Sequence, residues 1–277
     1  MQVSFTQSNE PMVEHTHIRA DKQSFFMSVW MMTRRSVTVL TRTPLEIIVP
    51  ILLGIFFLVV YESSLRGAAA LFLKGQSYLG FILPLSVISA GLSGAGIGGQ
   101  AIIRDIQSGF FDKLLLTPIH RSALLLGPMI ACAFAQALQA LIIILLALLL
   151  GLESATGLVG LLVVLGLTLL IGLGLSGFVI GIALCTKSAG VTGASTFLVF
   201  PLTFLAPIFT PLELLQGWIR VAAEINPLTY ILEVGRTLIN VGWETEIVLH
   251  GFAAPILLAL FGFGFAYLSL QVGTKRR

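Results

Sequence analysis

Six apolar stretches, each long enough to cross a bilayer, take up more than half of this 277-residue sequence. They constrain its fold more than any other feature. They fall at 44–61, 77–99, 122–151, 157–185, 189–210 and 249–272. A hydrocarbon core takes about 20 apolar residues as a helix. Lipid offers no partner for backbone N–H and C=O groups, so such segments must satisfy them internally. The expectation is an all-α integral membrane protein with six transmembrane helices. Only 10% of the residues are charged, against about 25% in soluble domains, and the mean hydropathy is +0.99.

Lysine and arginine positions orient the six spans. Twelve of the sixteen fall on one side: Arg19, Lys22, Arg34, Arg35 and Arg42 before the first span, Arg104, Lys113 and Arg121 after the second, Lys187 after the fourth, and Lys275 to Arg277 at the tail. The other side has Arg66, Lys74, Arg220 and Arg236. An even number of spans puts both termini together, and the charge bias puts them in the cytoplasm. No N-terminal signal peptide is read. Cys132 and Cys185 both fall inside spans, which points to packing rather than a disulfide framework.

Between the second and third spans lies RDIQSGFFDKLLLTPIHR, residues 104–121. Ile106, Phe110 and Leu114 recur every four residues, with Phe111 and Leu115 beside them. Asp105, Gln107, Asp112 and Lys113 supply a polar side, and Thr117-Pro118 stops the helix. A short amphipathic helix here can lie on lipid, on the same chain or on a soluble partner.

Residues 1–21 read as a cytoplasmic tail. Its His15 and His17 lack the further ligands a metal needs. Residues 22–43 read as an amphipathic interfacial helix with Phe26, Val29, Trp30, Thr33, Val37 and Leu40 on one side and basic residues around the rest. The six-span domain covers 44–277. Its fifth span contains Pro201 and Pro207 among Phe197, Phe200, Phe204 and Phe209, the composition of a bent, aromatic helix. Residues 211–248 read as two short re-entrant helices in the outer leaflet, hinged at Asn226 and Pro227. Trp218, Tyr230 and Trp243 suit the interface there.

The chain has no GxxxxGK[ST], no HExxH and no CxxC. Gly94 to Gly99 spells GxGxxG, but a span end without βαβ context is no dinucleotide fold. Small residues there, like Gly177-xxx-Gly181, serve helix packing. The middles of the spans hold no Asp, Glu, Lys, Arg or His, whereas ion-coupled carriers keep ionisable groups within the membrane. Any energy for uphill transport must come from a partner.

Two pieces carry a resemblance: Asp105-xxx-Gly109-Phe-x-Asp112-Lys-Leu-Leu-x-Thr117-Pro118-Ile-x-Arg121, and Asn226-Pro227-Leu-Thr-Tyr230 followed by Arg236. In a six-span frame with a basic amphipathic start, the chain resembles the permease subunit of type-2 ATP-binding-cassette exporters, most closely the daunorubicin-resistance-like permeases. The resemblance covers about residues 25–272. It implies a pair of such subunits, each docking a separate ATPase that holds ATP and Mg, with no cofactor, metal or catalytic residue in this chain. It implies a coupling helix at about 104–116. There Arg104, Asp105, Asp112 and Lys113 make charged contacts, Phe110 and Phe111 act as anchors, and Gly109 allows close approach. It also implies a pathway between the second and fifth spans of both copies, near Phe81, Ser86, Ser89, Phe197, Phe200 and Phe204. Hydrophobic or amphipathic cargo, drug or lipid-like, suits such a wall. The implied home is the prokaryotic inner membrane or an organelle equivalent, with membrane lipids and no nucleic acid among the partners. Two readings compete: an ion-gradient-driven carrier or channel, and a non-transporting scaffold that recruits a cytoplasmic protein through 104–121.

Overall fold

The computed structural model describes residues 24–69, 73, 77–198, 200–208 and 211–275. The tail at 1–21, Lys22, Lys74, Phe209, Arg276 and Arg277 lie outside the described residues. Eleven α-helices follow one another among those described: α1 Phe25–Thr41, α2 Leu45–Ala69, α3 Tyr78–Gln107, α4 Phe110–Leu115, α5 Arg121–Leu149, α6 Gly157–Thr186, α7 Ala189–Leu198, α8 Phe200–Leu205, α9 Trp218–Ile225, α10 Pro227–Asn240 and α11 Thr245–Lys275. A 3-10 turn at Leu212–Leu214 precedes α9, and no strand occurs among the described residues.

Five helices are long and apolar enough to cross a membrane: Leu45–Gly67, Tyr78–Gln107, Arg121–Leu149, Gly157–Thr186 and Thr245–Val272. Their bounds track the apolar runs because the runs themselves create them. The expected span at 189–210 differs. It is the shorter α7–α8 pair, Ala189–Leu205, 17 residues in all. Position 199, between α7 and α8, lies outside the described residues.

The bundle is built around α3. Of its most apolar window 94% is buried inside the protein, against 17% for α2 and for α11, which lie at the periphery. The glycine-rich end of α3 explains how so many neighbours reach it. A Cβ at Gly98 would come within 3.0 Å of the Cys132 Sγ on α5, and one at Gly99 within 2.7 Å of Thr192 Cγ2 on α7. Helices α6 and α11 meet even more closely. A Cβ at Gly177 would lie 2.7 Å from the Gly262 carbonyl carbon, so the two backbones touch. Both cysteines are free: Cys132 is buried, and Cys185 donates to the Ser269 Oγ at 3.2 Å.

Polar contacts gather at two opposite ends. At one, the C-terminal end of α3 joins α1, α2 and the start of α7, where Gln100 Nε2 donates to the Ala189 carbonyl at 3.2 Å. At the other, the loop after α5 joins α10, with Thr156 Oγ1 donating to the Leu238 carbonyl at 2.6 Å.

The amphipathic helix α1 does not present one apolar face, as its periodicity suggested. Met32, Thr33 and Leu40 are buried, and Gly127 lets α1 lie directly on α5. Phe26 and Trp30 point outward, 80% and 64% exposed, with Val37. The helix has two apolar sides, one for the bundle and one outside it.

Candidate functional site

The loop at 104–121 closes one end of the bundle. The stretch expected as a single helix over 104–116 is two. Arg104 and Asp105 belong to the last turn of α3, which ends at Gln107. Ser108 caps it, and Gly109 then takes φ +70°. A Cβ there would meet no atom within 4 Å, so the left-handed turn, and not a close approach within the chain, is what favours glycine. The chain re-enters as α4, six residues long.

The charges of α3 are spent within the chain. Arg35 on α1 holds Asp105 with both nitrogens, Nη1 to Oδ2 at 2.8 Å and Nη2 to Oδ1 at 2.5 Å. Arg104 Nη1 donates to Glu46 Oε1 on α2 at 2.8 Å. The same Arg35 guanidinium lies 4.4 Å from the centroid of the half-buried Phe110 ring. A cation over an aromatic face adds a further attraction. So α1 and α2 brace the last turn of α3, and Arg35 reaches on to the first residue of α4.

Phe111 is buried in this chain's own core, with Ile102, Ile103, Leu125, Met129 and Ile180. Leu114 packs with Met32 and Leu124. What α4 presents outward is Asp112, Lys113 and, just past its end, Leu116, which is 88% exposed. That leucine was visible in the sequence only as one more of the run Leu114 to Leu116.

The Arg35–Asp105 pair is bidentate and half-buried, so it is worth more than a solvated surface pair. Arg35→Glu is expected to lower stability by about 2 kcal/mol, because it removes the bonds and sets two carboxylates together. Adding Asp105→Arg should restore at least half. A double-mutant cycle by thermal unfolding in detergent checks this, and independent, additive losses would contradict the pairing.

The residues expected along the pathway are not brought together in this single chain. Phe81, Ser86 and Ser89 are buried inside the bundle, and Ser86 Oγ donates to the Ile82 carbonyl at 3.3 Å. Phe197 and Phe204 face outward on α7 and α8, 76% and 55% exposed. The side chain of Phe200 is outside the described residues.

At the opposite end, Asn226 and Pro227 form a capped corner. The Asn226 side chain accepts from Leu228 N at 3.0 Å and donates to the Leu202 carbonyl at 2.5 Å. Pro227 takes the first position of α10, where its missing N–H costs nothing. Thr229 Oγ1 donates back to Ala223 O at 2.6 Å and Tyr230 Oη to Glu224 O at 2.8 Å. The joint is fixed by hydrogen bonds on both sides.

Arg236 is the residue whose role the sequence hid. Charge counting placed it on the outer surface, yet it is only 8% exposed. Its Nε donates to the Phe81 carbonyl at 3.0 Å, Nη1 to Pro207 O at 2.7 Å and Nη2 to Ile208 O at 2.8 Å. The guanidinium also stacks 3.5 Å from the Phe81 ring centroid. One side chain of α10 thereby ties α3 to the chain just beyond α8. Beside it a recess of about 470 Å³ is lined by Phe81, Glu213, Glu233 and Arg236 among others. Burial raises the Glu233 carboxyl above its ordinary pKa, with Arg236 opposing the shift.

Gln136 and Gln139 also escaped the sequence reading. Both are buried near the middle of α5, 1% and 0% exposed, and their amide atoms have no hydrogen-bond partner among the described residues. Glycines make room for them: the side chain of Gln136 lies against Gly91, Gly94 and Gly172. The signal was two amides three residues apart in an otherwise apolar run.

A helical bundle with five membrane-length spans defines an integral membrane protein. The chain belongs to the ABC-2 type transporter family, whose profile matches residues 27–240. It is 25% identical over 210 residues to the daunorubicin resistance ABC transporter permease protein DrrB1 of Streptomyces coeruleorubidus, covering 74% of each chain. It is 24% identical over 212 residues to the probable doxorubicin resistance ABC transporter permease protein DrrC of Mycobacterium tuberculosis, covering 76% of each. It is 25% identical over 217 residues to the putative transport permease ycf38 of Cyanophora paradoxa, covering 77% of this chain and 74% of that one. Family and relatives together make this chain an ABC transporter permease.

Proposed function

We propose that the chain is the transmembrane subunit of an ATP-driven exporter of hydrophobic or amphipathic molecules, and that α4 is the point where a separate ATPase docks. The observation that carries this reading is the build of the 104–121 loop. It is braced from behind by Arg35, Glu46 and the Phe111 core, and it presents Asp112, Lys113 and Leu116 outward. A load-transmitting helix needs a stiff back and an exposed front. The names of the relatives, daunorubicin and doxorubicin resistance permeases, favour drug-like cargo.

Two copies of the chain form the pathway in this reading, with α7 and α8 as a sixth crossing. Gln100 holds the start of α7 at the end that carries α4, and Arg236 holds the chain after α8 at the other. The pair therefore runs the depth of the bundle. Its exposed Phe197 and Phe204 are offered to the second copy or to cargo. The end with α4 and both termini face the cytoplasm, and α9 and α10 sit in the outer leaflet. ATP and Mg bind in the ATPase, whose closure moves the two α4 helices. Helices α3 and α5, which flank α4, carry that motion into the bundle as levers.

The test is transport in inverted membrane vesicles holding this chain and its ATPase. ATP is expected to drive uptake of a lipophilic fluorescent cation. Leu116→Asp with Lys113→Glu should weaken ATPase docking about 30-fold, the loss of one interface hot spot, and abolish uptake. Uptake that ignores ATP and collapses with the proton gradient would overturn the proposal in favour of a carrier. A well-folded chain that binds a partner but moves nothing would favour a scaffold.

A further inference from the structure

The outward side of α1 carries a groove of about 480 Å³ lined by Met31, Arg34, Arg35, Thr38, Val39 and Arg42. Among the described residues no acidic side chain lines it. Arg34 and Arg42 are exposed, and among the described residues neither guanidinium has an ion-pair partner. Three cations share one open groove, with nothing among the described residues to balance two of them.

What lies on either side identifies the occupant. Phe26, Trp30, Arg34, Thr38 and Arg42 follow one another at four-residue steps along the helix. The row therefore begins in two outward aromatics and continues into arginines. Just beyond Arg42, α2 opens with the exposed apolar residues Leu45, Ile48 and Val49. The arginines are thus held between two lipid-facing apolar surfaces, at the level where a span enters the hydrocarbon. Phospholipid phosphates sit at that level.

We propose that this groove binds the phosphate headgroup of an anionic phospholipid, with Arg34 and Arg42 as the charged ligands. The acyl chains lie along Trp30 and the first turns of α2. The site also abuts the α4 loop, because Arg35 lines the groove and at the same time holds Asp105 and Phe110. A phosphate in the groove lies beside the Arg35 guanidinium that braces the loop, so lipid composition tunes how firmly α4 is held. That consequence rests on the docking role of α4, whereas lipid binding itself does not.

The experiment uses the full chain, purified without any ATPase, in native mass spectrometry against phosphatidylglycerol and phosphatidylcholine. The wild-type chain is expected to prefer phosphatidylglycerol about 30-fold, the worth of two basic side chains at an anionic surface. Arg34→Gln with Arg42→Gln should bring the preference below about threefold while leaving the thermal midpoint unchanged, since both side chains are exposed. Inorganic phosphate at millimolar concentration should not displace the lipid. Undiminished preference in the variant, or full displacement by inorganic phosphate, overturns the proposal. A variant that keeps its lipid but no longer binds ATPase also overturns it, because the groove is then a protein contact. If lipid binding behaves as expected while no ATPase ever docks, the lipid site stands and the docking role falls.

Discussion

Arg236→Leu is expected to destabilise the chain by about 3 kcal/mol and to lower its thermal midpoint by about 10 °C. The guanidinium gives three hydrogen bonds to backbone carbonyls, each worth about 1.5–3 kcal/mol because the donor is charged. Burying the cation costs several kcal/mol in return. The bonds win because the loss is double: leucine removes the donors and also leaves the carbonyls of Phe81, Pro207 and Ile208 without their partner. Phe81 also loses the cation over its ring. Lysine should rescue little, since one ammonium cannot span three carbonyls with the reach of a planar fork. Arg220, exposed and paired with Glu224 one turn away, is the control, and its replacement should cost less than about 1 kcal/mol. Thermal unfolding in detergent followed by intrinsic fluorescence reads all three. A midpoint for Arg236→Leu within two degrees of wild type would show that the staple carries no load.

Gly177→Val should cost at least about 3 kcal/mol and give a heterogeneous, aggregation-prone preparation. The Cβ would lie 2.7 Å from the Gly262 carbonyl carbon and 2.8 Å from both its oxygen and Met129 Cε. A flexible side-chain tip could retreat, but a backbone on the facing helix cannot move without opening the α6–α11 seam. Gly166, on the same helix, has nothing within 4 Å of its Cβ position. Gly166→Ala should therefore be neutral or gain up to about 1 kcal/mol from helix propensity. Size-exclusion profiles with thermal unfolding distinguish the two sites. Equal behaviour at positions 166 and 177 would contradict the close approach of α6 and α11.

The sequence made the spans legible because their driving force is local: an apolar run of membrane length needs no partner to declare itself. The apolar run at 189–210 was legible in the same way, although its helical part, Ala189–Leu205, is shorter than the span expected there. Facing was hidden. Phe111 and Leu116 belong to one apolar run, and only tertiary packing sends the first inward and leaves the second exposed. Arg35 and Asp105 are 70 residues apart, and no local pattern pairs them. The resemblance implied that Arg104 and Asp105 make charged contacts with a partner, and within the chain they pair with Glu46 and Arg35. Arg236 was placed on the surface by its charge, and the three carbonyls that hold it inside come from α3 and from the chain beyond α8. Gln136 and Gln139 were hidden for the opposite reason, since an uncharged amide in an apolar run leaves no mark on a search for ionisable groups.

The central claim is that this permease is driven by a separate ATPase held at α4. Its most direct test is purification of the intact chain from its native membrane in mild detergent, with the mass of the complex and its ATP hydrolysis measured together. The account predicts two copies of this chain with two copies of an ATP-hydrolysing subunit. Leu116→Asp with Lys113→Glu should release that subunit while the chain stays folded. A folded, monodisperse chain that brings no ATP-hydrolysing subunit with it, or a complex indifferent to both substitutions, would contradict the account.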